Sequence, residues 1–175
     1  RRVLFRSRGL KDFGIEAVKY MNEIGMIIDV SHLSDGGFYD VAEYSEKPFI
    51  ASHSNSRNLA AHPRNLKDDM IKIIAEKGGV IGLNFAPQFL NNNSSNEDSK
   101  IEEMIYHLNY IKNLGGESVL ALGSDLDGIH GNLEIDSSQK MPLLFKALKN
   151  DGWSTDLIEK FKAKNALRVI KEVLK

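Results

Sequence analysis

Phe49-Ile50-Ala51-Ser52-His53-Ser54-Asn55-Ser56-Arg57-Asn58-Leu59-Ala60-Ala61-His62-Pro63-Arg64-Asn65 is the stretch whose reading decides the fold. Pro48 breaks what precedes it, and the short apolar run that follows predicts a buried strand ending on His53. A polar loop carrying Arg57, His62 and Arg64 comes next, and Asn65 is the expected N-cap of a helix whose first turn holds Asp68 and Asp69. The same succession of strand, polar loop and helix recurs on either side. Met26 to Val30 is apolar and runs into Ser31-His32, and Val119 to Gly123 runs into Ser124-Asp125. Two imidazoles and one carboxylate thus fall at the downstream ends of three strands, which is how a parallel β/α sheet or barrel assembles a site.

The rest of the chain fits that frame. Phe13, Ala17, Val18 and Met21 recur at helical intervals and predict a helix over 12–24, stopped by Gly25. Ser34 is the expected N-cap of a helix through Phe38, Val41, Ala42 and Tyr44. Val80 to Phe85 predicts the third strand and Ile101 to Leu114 a helix ended by Gly115-Gly116. Residues 91–99 and 128–140 predict polar loops, and two or three short helices fill the remainder. This alternation argues an α/β class with right-handed crossovers. Strict alternation along each strand sets Ile28, Val30 and His32 on one face, Phe49, Ala51 and His53 on another, and Val119, Ala121, Gly123 and Asp125 on a third. Each row is apolar until its last member, as expected of a barrel whose interior is polar only at its C-terminal mouth. Four strands cannot close such a barrel, which takes eight, so the chain is expected to be the second half of one.

Composition narrows the chemistry. With 42% hydrophobic and 27% charged residues, the 175-residue chain is globular and long enough for one domain. A net charge of −1 gives no reason to expect nucleic acid, and no apolar run reaches membrane-spanning length. There is no cysteine, so any metal must be held by histidine and carboxylate. Taken singly, His32 and His53 are each better read as a buried histidine bonded to a backbone carbonyl. Taken together, on strands about 4.8 Å apart, they are within reach of one ion at the usual Zn–N distance of about 2.1 Å. Asp125 continues an inward row and is a candidate ligand or general base, whereas Asp127, before Gly128, is expected to cap a loop. Arg64 is a candidate for gripping a substrate carboxylate through its fork of donors. Arg57, His62, His107 and His130 are expected at the surface. Ser54 and Ser56 lack the strand–turn–helix surroundings of a nucleophilic serine.

Six segments, 27–32 (Ile-Ile-Asp-Val-Ser-His), 51–55 (Ala-Ser-His-Ser-Asn), 63–66 (Pro-Arg-Asn-Leu), 78–85 (Gly-Gly-Val-Ile-Gly-Leu-Asn-Phe), 123–128 (Gly-Ser-Asp-Leu-Asp-Gly) and 165–169 (Asn-Ala-Leu-Arg-Val), occur in this order in the membrane dipeptidase family, which the chain resembles from about Gly9 to Lys175. The resemblance implies a (β/α)8 barrel of the amidohydrolase type with a two-zinc site that hydrolyses dipeptides. It implies that His32 and His53 bind one zinc, that Asp125 is the catalytic aspartate and that Arg64 grips the dipeptide's C-terminal carboxylate. The family's His-x-Asp pair and bridging glutamate have no counterpart here. Only one ion's histidine pair is therefore expected in this chain, which alone should bind zinc weakly, lack activity and be poorly soluble. Back-translated, residues 1–7 match a common sequencing-library adapter, so they are expected to be non-native and residues 8–175 to be the C-terminal part of a single metallo-dipeptidase barrel domain. A bacterial cytoplasmic protein is the expectation, with any signal peptide upstream, and the family leaves room for a homodimer. A deaminase or cyclic-amide hydrolase on the same scaffold, and a non-catalytic half-barrel, are the competing readings.

Overall fold

The computed structural model describes residues 8–93 and 95–174; the proposed scar at residues 1–7 lies outside them. Helix α1 (Asp12–Ile24) ends where Gly25 takes the left-handed conformation, with φ 74°, that a Cβ would strain. Helix α2 (Asp35–Tyr44) begins at Ser34, whose hydroxyl accepts the Gly37 N–H at 3.0 Å. Strand β1 (Ile50–Ala51), helix α3 (Asp68–Glu76), strand β2 (Val80–Leu83) and the single turn α4 (Pro87–Leu90) follow. Next come β3 (Asp98–Ser99), α5 (Ile101–Gly115), β4 (Leu120–Leu122) and β5 (Asn132–Leu133). The chain closes with α6 (Met141–Asn150), α7 (Thr155–Glu159), a π-helical turn at Lys160–Lys164 and α8 (Asn165–Val173).

Strands β1, β2 and β4 form a parallel sheet in that order, with Ile50 beside Val80 and Gly82 beside Ala121. The run expected as the first strand joins only through a parallel bridge from Asp29 to Ile50, with Val30 N–H donating to the Ile50 carbonyl at 2.8 Å. Two expected loops are not wholly irregular, because β3 and β5, one from each, pair in parallel. Asn65 does not cap α3, which starts three residues later after Lys67. Its amide is buried and donates to the carbonyls of Ala60 and Phe89, both at 2.9 Å, fastening the loop from within.

The facing of the strands differs from simple alternation toward the histidines. Ile28, Val30, Phe49, Ala51, Ile81, Leu83 and Leu120 pack with Met70, Ile74, Met104, Leu108 and Ile111 of the helices in the main core. The opposite face carries Ile27, Ile50, Val80 and Ala121, against Val169 and Val173 of α8. By period and register, Asp29, Ser52, Gly82 and Gly123 share this second face. His32 and His53 sit in turns beyond the strands, so the rows drawn through Val30 and Ala51 do not lead to them. In the third row Ala121 and Gly123 do share the second face, but Val119 packs in the main core and Asp125 lies in a turn beyond its strand.

Two of the recurrent segments hold the far edge of the sheet. Asn165 donates to the carbonyls of Glu117 and Leu120 at 2.8 and 2.9 Å, and Arg168 to those of Gly78 and Ser118 at 2.6 and 3.1 Å. These are carbonyls at the strands' entry ends, the face of a β/α protein associated with stability.

His107, expected at the surface of its helix, is fully buried. Its Nδ1 accepts the Ser56 N–H at 3.1 Å and its Nε2 lies 2.9 Å from the Leu90 carbonyl, which requires the neutral Nε2–H tautomer. Burial, opposed by the bond to Leu90, pulls its pKa down from 6.5 to about 4. Between those values the unfolded chain binds the extra proton, so stability rises with pH. Acidification from about pH 6.5 to about pH 4 should therefore cost roughly 3 kcal/mol at this group. Urea midpoints at pH 7 and pH 4.5 will measure the loss, and His107→Gln, which keeps both bonds without titrating, should flatten it.

Candidate functional site

The downstream ends of the strands turn sharply, and those turns bring the polar residues together. The Ser52-His53 turn crosses the sheet so that the Ser52 carbonyl lies over Gly82 and Gly123, where any Cβ would overlap it. Ser54 N–H then bonds the Gly82 carbonyl at 2.8 Å. Close approach of backbone to backbone is what glycine allows at these two positions. The result is that His53 Nε2 stands 2.9 Å from His32 Nε2. The ring centroids are 4.9 Å apart and the planes tilted by 55°.

Arg64 completes one side. Its Nη2 is 3.4 Å from His32 Nε2, and its guanidinium carbon lies 5.7 Å from the centre of the Phe89 ring. His62, expected at the surface, packs against the same ring with centroids 4.7 Å apart and planes tilted by 57°, and accepts the Arg64 N–H on Nδ1 at 3.2 Å. It is half-buried and steadies Arg64, while His130 is exposed as expected. Burial lowers the His32 pKa first; the Arg64 charge and His53 lower it further, against Asp29 and Asp125. Arg57 is likewise no solvated side chain. It makes a two-pronged ion pair with Asp35 at 2.8 and 2.7 Å and donates to the carbonyls of Asn65 and Pro63, clamping the Arg64 loop to the start of α2. That hydrogen bonding, together with Lys67, holds the Asp35 carboxyl below its ordinary range.

Asp125 is the sole non-glycine with positive φ among the described residues, at φ 60° and ψ 31°. A left-handed aspartate costs on the order of 1–2 kcal/mol, and such strain gathers at functional positions. Asn84, wholly buried at the end of β2, donates from Nδ2 to Asp125 Oδ2 at 3.2 Å. Asn84 is itself locked: its Oδ1 accepts the Ala86 N–H at 2.7 Å, and its backbone exchanges two bonds with the Asn55 amide at 3.0 and 2.9 Å. Sequence reasoning passed over Asn55 and Asn84. The signal was present, since Val80-Ile81-Gly82-Leu83-Asn84 is an apolar strand with a polar end, like the other three.

Asp29 also went unnoticed, although it lies inside a recurrent segment. Its Oδ1 accepts the N–H groups of Ser31 and Ser52, both at 3.0 Å, and its Oδ2 accepts the Ser52 hydroxyl. Burial would raise its carboxyl, but the bonds from Ser52 and Ser31 outweigh that and hold it below its usual range.

The family model for "Membrane dipeptidase (Peptidase family M19)" matches residues 2–175. The chain belongs to the membrane dipeptidase family. It is 34% identical over 166 residues to the dipeptidase tcpJ of Claviceps purpurea, covering 94% of this chain and 39% of that protein. It is 37% identical over 166 residues to an uncharacterized Klebsiella pneumoniae protein from the pqqA 5′ region, covering 94% of this chain and 61% of that one. Among solved structures, a metallopeptidase of Rhodobacter sphaeroides carrying a phosphinate mimic of the dipeptide L-Ala-D-Ala superimposes with a TM-score of 0.90 at 31% identity, covering 95% of this chain and 48% of that one. An amidohydrolase of Pseudomonas aeruginosa superimposes with a TM-score of 0.86 at 27% identity, covering 97% of this chain and 59% of that one. The chain thus spans between about two fifths and three fifths of the length of these relatives.

As members of this dipeptidase family, His32 and His53 can be tested for a metal on their own geometry. Two nitrogens bound tetrahedrally to one zinc at about 2.1 Å stand about 3.4 Å apart. The observed 2.9 Å is a little short of that, so a small opening of the pair admits an ion. Neutral imidazole nitrogens converging from two turns are the donors zinc prefers when no thiolate is offered. Among the described residues no third histidine or carboxylate completes a metal-holding cluster with them. The donor pair therefore suits one side of a metal site.

Proposed function

We propose that the protein hydrolyses dipeptides at a zinc site, with His32 and His53 as ligands of one of two ions. The observation that carries this reading is the meeting of the two Nε2 atoms 2.9 Å apart, with the Arg64 guanidinium 3.4 Å from one of them. A metal-binding pair beside a fixed cation is what a small substrate with a free carboxylate needs. Bound zinc supplies a water of lowered pKa and polarises the scissile carbonyl. Arg64, held by Arg57, His62 and Phe89, grips the carboxylate and sets the peptide's register. Asp125, oriented by Asn84, takes a proton at its carboxylate and hands it to the leaving amine.

The finer architecture belongs to the same proposal. The face bearing Ile27, Asp29, Ile50 and Ser52 is read as the interior wall of a (β/α)8 barrel, with the remaining metal ligands on other strands of that barrel. The relatives' greater length and their fold support this reading.

The competing ring hydrolase shares the metal pair but has no use for a carboxylate clamp, so Arg64 favours the dipeptide. The test is hydrolysis of matched dipeptides with free and amidated C-termini by the full-length protein. Arg64→Met should raise KM for the free acid about 30- to 100-fold, the loss of a charge-assisted pair. It should leave the amide, already a poor substrate, almost unchanged. Equal turnover of both forms by the unaltered protein, or faster opening of a cyclic amide, would overturn the assignment.

A further inference from the structure

His53 has two ring nitrogens, and only one can face an ion. We propose that Asp29, acting through Ser52, sets the tautomer of His53 so that Nε2 is presented unprotonated toward His32. This inference rests on the reading of His53 as a metal ligand, and it assigns Asp29 and Ser52 as positioning residues.

The hydrogens around Ser52 can be counted. The Asp29 carboxylate has no proton to give, and its Oδ1 is already filled by the Ser31 and Ser52 N–H groups. Its Oδ2 takes the hydroxyl hydrogen of Ser52. Ser52 has one such hydrogen, so toward His53 its Oγ acts solely as acceptor. The Ser52 Oγ to His53 Nδ1 distance is 2.7 Å, and the hydrogen in that bond must come from Nδ1. Nε2 is then a bare lone pair, 2.9 Å from His32 Nε2. Ser31 fixes the other end of the same turn. Its hydroxyl accepts the His53 N–H at 3.0 Å and lies 3.3 Å from Ser52 Oγ, and it carries its own hydrogen, so it does not need the one that Ser52 gives Asp29. Carboxylate, hydroxyl and imidazole thus form a relay of the kind that orients ligating histidines from outside the coordination sphere.

A bland alternative is that Asp29 only caps the turns. It is separable, because Asp29→Asn keeps the acceptor for the backbone N–H groups but places an NH2 against Ser52. Ser52 then keeps its hydrogen for His53, which should become the Nε2–H tautomer.

Long-range 1H–15N correlation spectra of the metal-free full-length protein read each ring's tautomer directly. The unaltered protein is expected to show His53 as Nδ1–H. D29N should convert it largely to Nε2–H, S52A should give a mixture, and S52T should restore the original spectrum. Zinc affinity, measured by competition with a chelator, should fall about 10- to 100-fold in D29N and S52A and recover in S52T. An Nε2–H tautomer in the unaltered protein overturns the proposal without needing any variant to fold. So does an Nδ1–H tautomer that neither D29N nor S52A disturbs. If the tautomer responds as described while the unaltered protein binds no zinc, the relay stands and the metal assignment of the site falls.

Discussion

Asp125→Asn in the full-length protein is expected, on the proposed mechanism, to lower kcat for dipeptide hydrolysis by about 10²- to 10⁴-fold, the usual contribution of a positioned acid–base group. KM should move little, because in the proposed mechanism Arg64 and the histidine pair carry the binding. Stability should be unchanged or slightly raised, and here the backbone decides. Asp125 holds a left-handed conformation at φ 60°, which asparagine accepts as readily as aspartate. The Asn84 amide, 3.2 Å from Asp125 Oδ2, can bond the new amide oxygen in the same place. Asp125→Ala would confuse matters, since alanine adds backbone strain to the loss of the carboxylate. Steady-state kinetics beside a urea melt of the asparagine variant separates chemistry from folding.

The second large effect concerns residues that touch no substrate. Gly82→Ala or Gly123→Ala places a methyl group on the Ser52 carbonyl, which is backbone and cannot swing aside. Either the sheet or the Ser52-His53 turn must shift by about an ångström. Overpacking of this kind costs about 3 kcal/mol. Because His53 rides on that turn, a shift pulls its Nε2 away from His32, so activity should fall further than the lost stability explains. Gly116→Ala is the comparison: its φ of 81° strains a side chain, but nothing lies within 4 Å of the added Cβ. With ψ at −179° beside that φ, the change should cost backbone strain of about 1–3 kcal/mol and leave the site intact. Thermal melts and dipeptide turnover of the three variants will show whether the two tight glycines share a loss of activity, beyond their stability cost, that the open one lacks.

Much of the fold was legible because its signals are local. The stop at Gly25 and the cap at Ser34 each operate within a few residues and are observed, and a helix forms over 12–24, although Phe13, the first of its expected apolar row, is exposed. The grouping of His32 with His53 was legible for a different reason, namely that equivalent positions of neighbouring β/α units end side by side. What could not be read is nonlocal. His107 lies on an amphipathic helix, and only the arrival of Ser56 N–H and the Leu90 carbonyl makes it a buried residue. Arg57 looked solvated because its partner Asp35 is 22 residues away. The facing of the strands failed for a geometric reason. Alternation was carried through to His32 and His53, but both segments turn before reaching them. The true shared row is Asp29, Ser52, Gly82 and Gly123, and its first two members support the histidines rather than replacing them. Asn84 stood at a strand end like the others and was passed over because an amide neither ligates zinc strongly nor titrates.

Anomalous diffraction at the zinc edge, from crystals of the full-length protein grown with zinc, will show whether the two histidines hold an ion. A peak about 2.1 Å from both His32 Nε2 and His53 Nε2 is expected. Two histidines still bonded to each other, with the zinc peaks elsewhere, would contradict it.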